Sequence, residues 1–318
     1  MNKINSSGDR ISLITYALDE VFYQSSIQDL RKYYFNDKKD ITKWIILSDY
    51  YFDDSASNKV ITFSMLPNYM DVMELQSQIQ QVAPDDIKHV RTVNKKFIEL
   101  LNSIPVVSFC FIFAQNKYWI WDSKDEMKEW VLGDFDRMKQ QIEYWRQTVP
   151  TERLDRINRL YKSVSCFERL IKEEKKMKLI SPLYFVGLLG GYIGSLLYKE
   201  SALTTLVWLS DRDSVNEICS NLVRELFQIT LINITKQNIQ FAFTRANSDS
   251  DEWYKELTRI PDYLTGTVSN FNFSGSTITK DKFSQMTQFH LRGNTQNTFL
   301  YRFVTDTERI RIKRMLIM

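Results

Sequence analysis

Between Leu179 and Tyr198 the chain runs twenty residues without a charged side chain. No other stretch limits its possible folds as much. A helix of that length spans about 30 Å, enough to cross a bilayer. Its glycines form two GxxxG spacings, Gly187/Gly191 and Gly190/Gly194, which let another backbone come close. The run also carries Pro182, two serines and three tyrosines, so its apolarity is diluted for a membrane span. A second apolar run, Ala202–Leu209, follows after only a few residues. We expect a buried helix packed tightly on a sheet through its glycines, with a membrane-attached effector as the competing arrangement.

The sheet begins earlier, in a hairpin. Trp44–Asp54 and Val60–Leu66 are β-rich runs joined by the polar segment Ser55–Lys59, the pattern of two antiparallel strands. Helical spacing of Ile11, Ile14, Leu18, Val21 and Phe22 predicts a helical preface over residues about 10–43. After the hairpin, Met70–Val82 and Asn94–Leu101 read as helices, and Pro105–Ala114 as a strand buried on both faces. Residues 122–178 are charged and helical, broken at Pro150, and end in the basic run Lys172–Lys178. Ala202–Leu209 predicts a central strand leading into Asp211 and Asp213, and a helix follows over about Val215–Leu226. Ile229–Ile234 suggests a short edge strand and Ile239–Phe243 a last one, while the tail 271–318 shows helical periodicity between polar loops.

Several chemistries lack their residues. Cys110, Cys166 and Cys219 are far apart and form no CxxC pair, and only His89 and His290 supply imidazole. A zinc centre or disulfide framework is therefore poorly provided for, and a reducing cytoplasm is the expected setting. The N-terminus lacks the apolar core of a signal peptide, and no Walker-type glycine loop is present. Forty-two basic against 39 acidic residues leave a net charge of only +3, so a polyanion must be met by a local patch.

Carboxylates stand out instead. Asp49 interrupts an apolar strand, where an ionised group is costly unless paired or bound to a metal. Asp211 ends a later strand, Asp262 follows Pro261 in the first turn of a helix, and Asp86 lies in the polar Pro84–His89 segment. Acids from separate elements can converge at one end of a sheet, where oxygen ligands suit Mg²⁺ or Mn²⁺.

Four segments carry a resemblance: Ile45–Asp49, Asp86–Lys88, Val207–Asp211 and Pro261–Gly266. In this order and on these element types, the chain resembles a widespread bacterial family with the RNase H-like fold. Its members look like metal-dependent nucleases of mobile elements and defence loci. The resemblance implies an α/β fold, with a mixed sheet of about five strands flanked by helices. It spans residues 44–275 with a helical insertion at about 122–178, after an N-terminal segment 1–43 and before a C-terminal extension 276–318. It further implies phosphodiester hydrolysis, with Asp49, Asp86, Asp211 and Asp262 holding metal and Lys88 contacting the scissile phosphate. Asp213 is the alternative to Asp211, His89 a candidate acid/base, and Lys43, Arg212 and Arg245 candidate phosphate contacts. The sequence departs from the family at Tyr50, where glutamate is usual, and Asp86 stands where another glutamate is expected. The alternative expectation is thus a catalytically degenerate module that binds nucleic acid or a protein partner, as a homo-oligomer or with another chain.

Overall fold

The computed structural model describes residues 10–69, 71–210, 214–245, 254–306 and 309–318. Helices α1 (Arg10–Ser25) and α2 (Ile27–Leu30) precede the hairpin strands β1 (Lys43–Tyr51) and β2 (Lys59–Pro67). Then come α3 (Val72–Val82), α4 (Lys95–Ser103), β3 (Val107–Phe113), α5 (Lys124–Thr148), α6 (Thr151–Lys172) and α7 (Ile180–Glu200). The chain continues through β4 (Thr205–Ser210), α8 (Ser214–Glu217), α9 (Leu222–Thr235), β5 (Gln240–Arg245) and α10 (Arg259–Ser269). A small ribbon of β6 (Phe271–Asn272) and β7 (Thr277–Ile278), then α11 (Ser284–Met286), β8 (Thr298–Asp306) and β9 (Arg309–Met315) complete it.

The fold is α/β. One mixed sheet has the order β5-β4-β1-β2-β3-β8-β9. β1 runs parallel to β4 and β4 to β5, whereas β2 is antiparallel to both β1 and β3. β8 joins β3 in parallel and β9 turns back along β8. Helices cover both faces. Because side chains alternate across a strand, Ile61, Phe63 and Met65 of β2 enter one core while Val60 and Leu66 enter the other. The first core packs α1, α5, α6, α7 and α9 against Phe63, Phe111 and Trp208. The second packs α3, α4 and α10 against Ile45, Leu47, Ile112 and Leu209.

Local chemistry sets the helix starts. Asp71 accepts from the amides of Met73 and Glu74, Asn94 from that of Lys96, and Ser123 from that of Glu126, each satisfying donors the helix leaves unpaired.

The uncharged run is a buried helix. Within Met177–Glu200, 94% of the most apolar window is inside the protein. Its glycines serve mainly α9 rather than the sheet. A Cβ on Gly191 would lie 2.5 Å from the Phe227 carbonyl oxygen, and one on Gly187 2.5 Å from Leu226 Cβ. Gly190 and Gly194 also approach sheet residues Phe63 and Leu206.

Two expectations are corrected. Ile229–Ile234 is not an edge strand but the second half of α9, since Ile229 and Leu231 gain more by burial in the helical layer than their β propensity is worth. The tail is not helical throughout: β8 and β9 widen the sheet to seven strands where about five were expected.

Candidate functional site

Asp49 sits near the C-terminal end of β1, opposite Thr62 of β2. The alternation of Ile45, Leu47 and Asp49 puts its side chain on the face covered by α10. α10 crosses β1 here, and the Thr265 hydroxyl reaches the Asp49 carbonyl oxygen at 3.5 Å. Asp262 lies in the first turn of α10, where a carboxylate is favoured by the helix dipole.

The turn bearing Asp86 is clamped against the same helix. Asp262 Oδ2 accepts from the Ile87 amide at 3.0 Å, and the Tyr263 hydroxyl donates to the Asp85 carbonyl at 3.0 Å. Lys282 Nζ donates to the Ile87 carbonyl at 2.7 Å. Gly266 eases this approach, since a Cβ there would lie 3.0 Å from Ile87 Cγ2 and the isoleucine side chain would have to give way.

Between the two acids lies Arg259. Its Nη1 is 3.8 Å from Asp86 Oδ2 and 3.6 Å from Asp262 Oδ2. The residue is buried, and its Nε finds no hydrogen-bond partner among the described residues. Lys88 adds an ion pair to Asp86 at 2.9 Å while its amide donates to Asp86 Oδ1 at 2.9 Å. Burial pushes the Asp86 carboxyl up, but the Lys88 amide and ammonium and the Arg259 guanidinium prevail and hold it below its ordinary value. Burial lowers the Lys282 ammonium, helped by Lys280 and opposed by Asp262 and Asp86.

The structure thus links Asp86, Lys88 and Asp262 through Arg259 and the Ile87 turn, while Asp49 meets the same helix at Thr265 through its backbone oxygen. Asp211, with Asp213 and Arg212, lies outside the described residues. Among the described residues, no three His, Cys, Asp or Glu side chains are grouped to hold a metal. Asp86 and Asp262 are already matched by Arg259, Lys88 and a backbone amide, so they do not fit a bare two-ion cradle. Lys43 belongs elsewhere: it opens β1 beside Thr205, at the opposite end of the strand from Asp49. Arg245 ends β5 in register with Ser210. His89 follows the clamped turn, with its amide bonded to the Asp86 carbonyl at 2.9 Å.

Tyr50 faces the other core. Its hydroxyl shares hydrogen bonds with Ser48 at 2.7 Å and Ser210 at 3.2 Å. Trp208 Nε1 donates to Ser48 at 2.8 Å, and Asn216 Nδ2 to Ser210 at 2.9 Å. This network fixes the ends of β1 and β4 side by side from below. Sequence reasoning missed Arg259 and Lys282. Arg259 carried a signal, its i,i+3 spacing to Asp262 on a helix; Lys282 carried none, since only the fold brings it to Ile87.

Compared with protein-family models, with curated proteins and with solved structures, the chain matches none.

Proposed function

We propose that the chain is an RNase H-like protein that acts on nucleic acid at the Asp49 end of its sheet, by divalent-metal-dependent phosphodiester hydrolysis. The observation that carries this reading is the placement of Asp49 on the face that α10 covers, with Asp262 in that helix's first turn. The first five strands support it. They run in the order β5-β4-β1-β2-β3 with β2 alone reversed, a mixed sheet of the size that the resemblance implies.

Because Asp86 and Asp262 are paired with Arg259, the proposal assigns metal holding to Asp49 and Asp211. Bound there, Mg²⁺ or Mn²⁺ supplies activation of water and charge compensation on the leaving oxygen. Asp262 and Asp86 hold the 85–88 turn, and Lys88, mostly exposed, is placed to meet a phosphate. A cytoplasmic role in bacterial defence or a mobile element belongs to this proposal through the family resemblance.

A second reading, a non-catalytic RNase H-like module, is favoured by Arg259, an internal cation held between two of the four acids. Titrating Mn²⁺ into the wild type, Asp49→Asn and Asp211→Asn separates the two. Binding lost in both variants, with Mn²⁺-dependent cleavage of DNA or RNA by the wild type, supports the nuclease. A wild type that neither binds Mn²⁺ nor cleaves leaves the second reading standing.

A further inference from the structure

Away from the carboxylates, α6 and the start of α9 enclose a pocket of about 440 Å³. Along α6, Arg156, Arg159, Ser163 and Cys166 recur at spacings of three and four, so they share one face. Lys162 stands beside them, and Arg224, from the first turn of α9, closes the opposite wall.

Cations outnumber acids here. Glu225 is the one acid lining the pocket, against Arg156, Arg159, Lys162 and Arg224. Among the described residues no carboxylate comes within ion-pair distance of these four cations. Arg156 donates only to the neutral Gln228 side chain. Arg224 Nε is buried and has no hydrogen-bond partner among the described residues. The serine hydroxyls of Ser163 and Ser220 add neutral donors at the lining.

A second basic cleft, beside the end of α7, lacks this character. There Arg31 is held by Glu200 at 2.8 Å and Lys199 by Asp19 at 3.3 Å. That cleft also lies at the C-terminal end of α7, which repels anions.

The geometry points to a phosphate-binding site between α6 and α9, built from Arg156, Arg159, Lys162 and Arg224. Arginine forks suit phosphate oxygens, and the space is that of a mononucleotide-sized ligand. The phosphate comes either from a small phosphorylated ligand or from a nucleic-acid backbone. The site goes beyond the nuclease reading and does not depend on a metal.

The test uses the full chain in EDTA at roughly 0.1 M salt, which keeps the carboxylate end out of the measurement. Pyrophosphate binding is followed by calorimetry, and binding of a short fluorescein-labelled single-stranded oligonucleotide by anisotropy. Arg159→Glu with Lys162→Glu reverses two exposed charges without touching the core. Lys32→Glu with Lys39→Glu does the same at the cleft beside α7, and Arg224→Gln removes the guanidinium whose Nε is buried. The expected result is binding of at least one probe by the wild type, weakened about tenfold or more by the Arg159/Lys162 pair and by Arg224→Gln, and unaltered by the Lys32/Lys39 pair. Binding of pyrophosphate alone assigns a small ligand. Oligonucleotide binding that pyrophosphate displaces assigns the backbone. Absence of binding by both probes, or equal weakening by the two double variants, overturns the site.

Discussion

Asp262 Oδ2 accepts a hydrogen bond from the amide of Ile87, 3.0 Å away and 175 residues earlier in the chain. One carboxylate thereby ties the Asp86 turn to α10 and faces the buried Arg259 guanidinium. Removing it leaves an amide without its acceptor and a buried cation short of a counter-charge. Asp262→Ala should therefore cost about 3 kcal/mol of unfolding free energy. Arg259→Met in the same chain should recover part of that loss, because the stranded charge goes with it. Urea unfolding of both singles and the double gives the coupling. Strict additivity would show that the two residues do not interact.

The α7–α9 contact makes a sharper demand. A methyl group on Gly191 would meet the Phe227 carbonyl oxygen at 2.5 Å and Thr230 Cβ at 2.6 Å, neither of which can rotate away. Gly191→Ala should destabilise by about 2–3 kcal/mol or more through overpacking. Gly275→Ala, whose nearest contact would be 3.4 Å, should change stability little. Thermal unfolding of the two variants compares them directly. Similar midpoints would mean that the helices sit farther apart.

Much of this was legible in the sequence, for identifiable reasons. The hairpin strands β1 and β2 show in their apolar and β-branched runs, and the uncharged span of α7 in its length and glycines. The position of Asp49 follows from the hairpin, and that of Asp262 from Pro261 in the first turn of α10. What escaped was decided by distant partners. Leu231 and Ile229 lie in a helix because the helical layer buries them, while Phe299 and Tyr301 lie in a strand because β3 offers its edge. The spacing of Arg259 to Asp262 is visible in the sequence, but its burial between two acids depends on Asp86 arriving from elsewhere in the chain.

Lys236, just beyond α9, has φ 56° and ψ 23°, and its amide bonds to the Ile232 carbonyl at 2.7 Å. This is the left-handed helix end that glycine fills without steric cost, whereas a Cβ costs about 1–2 kcal/mol there. The exposed lysine side chain returns only a few tenths of a kcal/mol through the helix dipole. Lys236→Gly should raise stability by about 0.5–1 kcal/mol, and Lys236→Ala should not. Chemical denaturation of the pair decides it, and an equal effect of glycine and alanine would assign any gain to the lost charge instead.

His290 should make stability depend on pH. It is buried, with Nδ1 bonded to Asn102 Oδ1 at 2.7 Å and Nε2 to Thr298 Oγ1 at 2.9 Å. Burial pushes its pKa down to about 4, from 6.5 for the free side chain. Between those values the unfolded chain holds a proton that the folded one excludes, so acid favours unfolding. The contribution of the neutral ring is complete above pH 6.5 and declines as pH falls toward about 4. It amounts to roughly 3 kcal/mol across the window. His290→Gln keeps a donor and an acceptor in the slot but cannot be protonated. The difference in unfolding free energy between wild type and His290→Gln should therefore shrink steadily from neutral pH to about pH 4. A difference that stays flat across that range would mean that the ring is charged in the folded protein, with Asn102 and Thr298 both accepting from it.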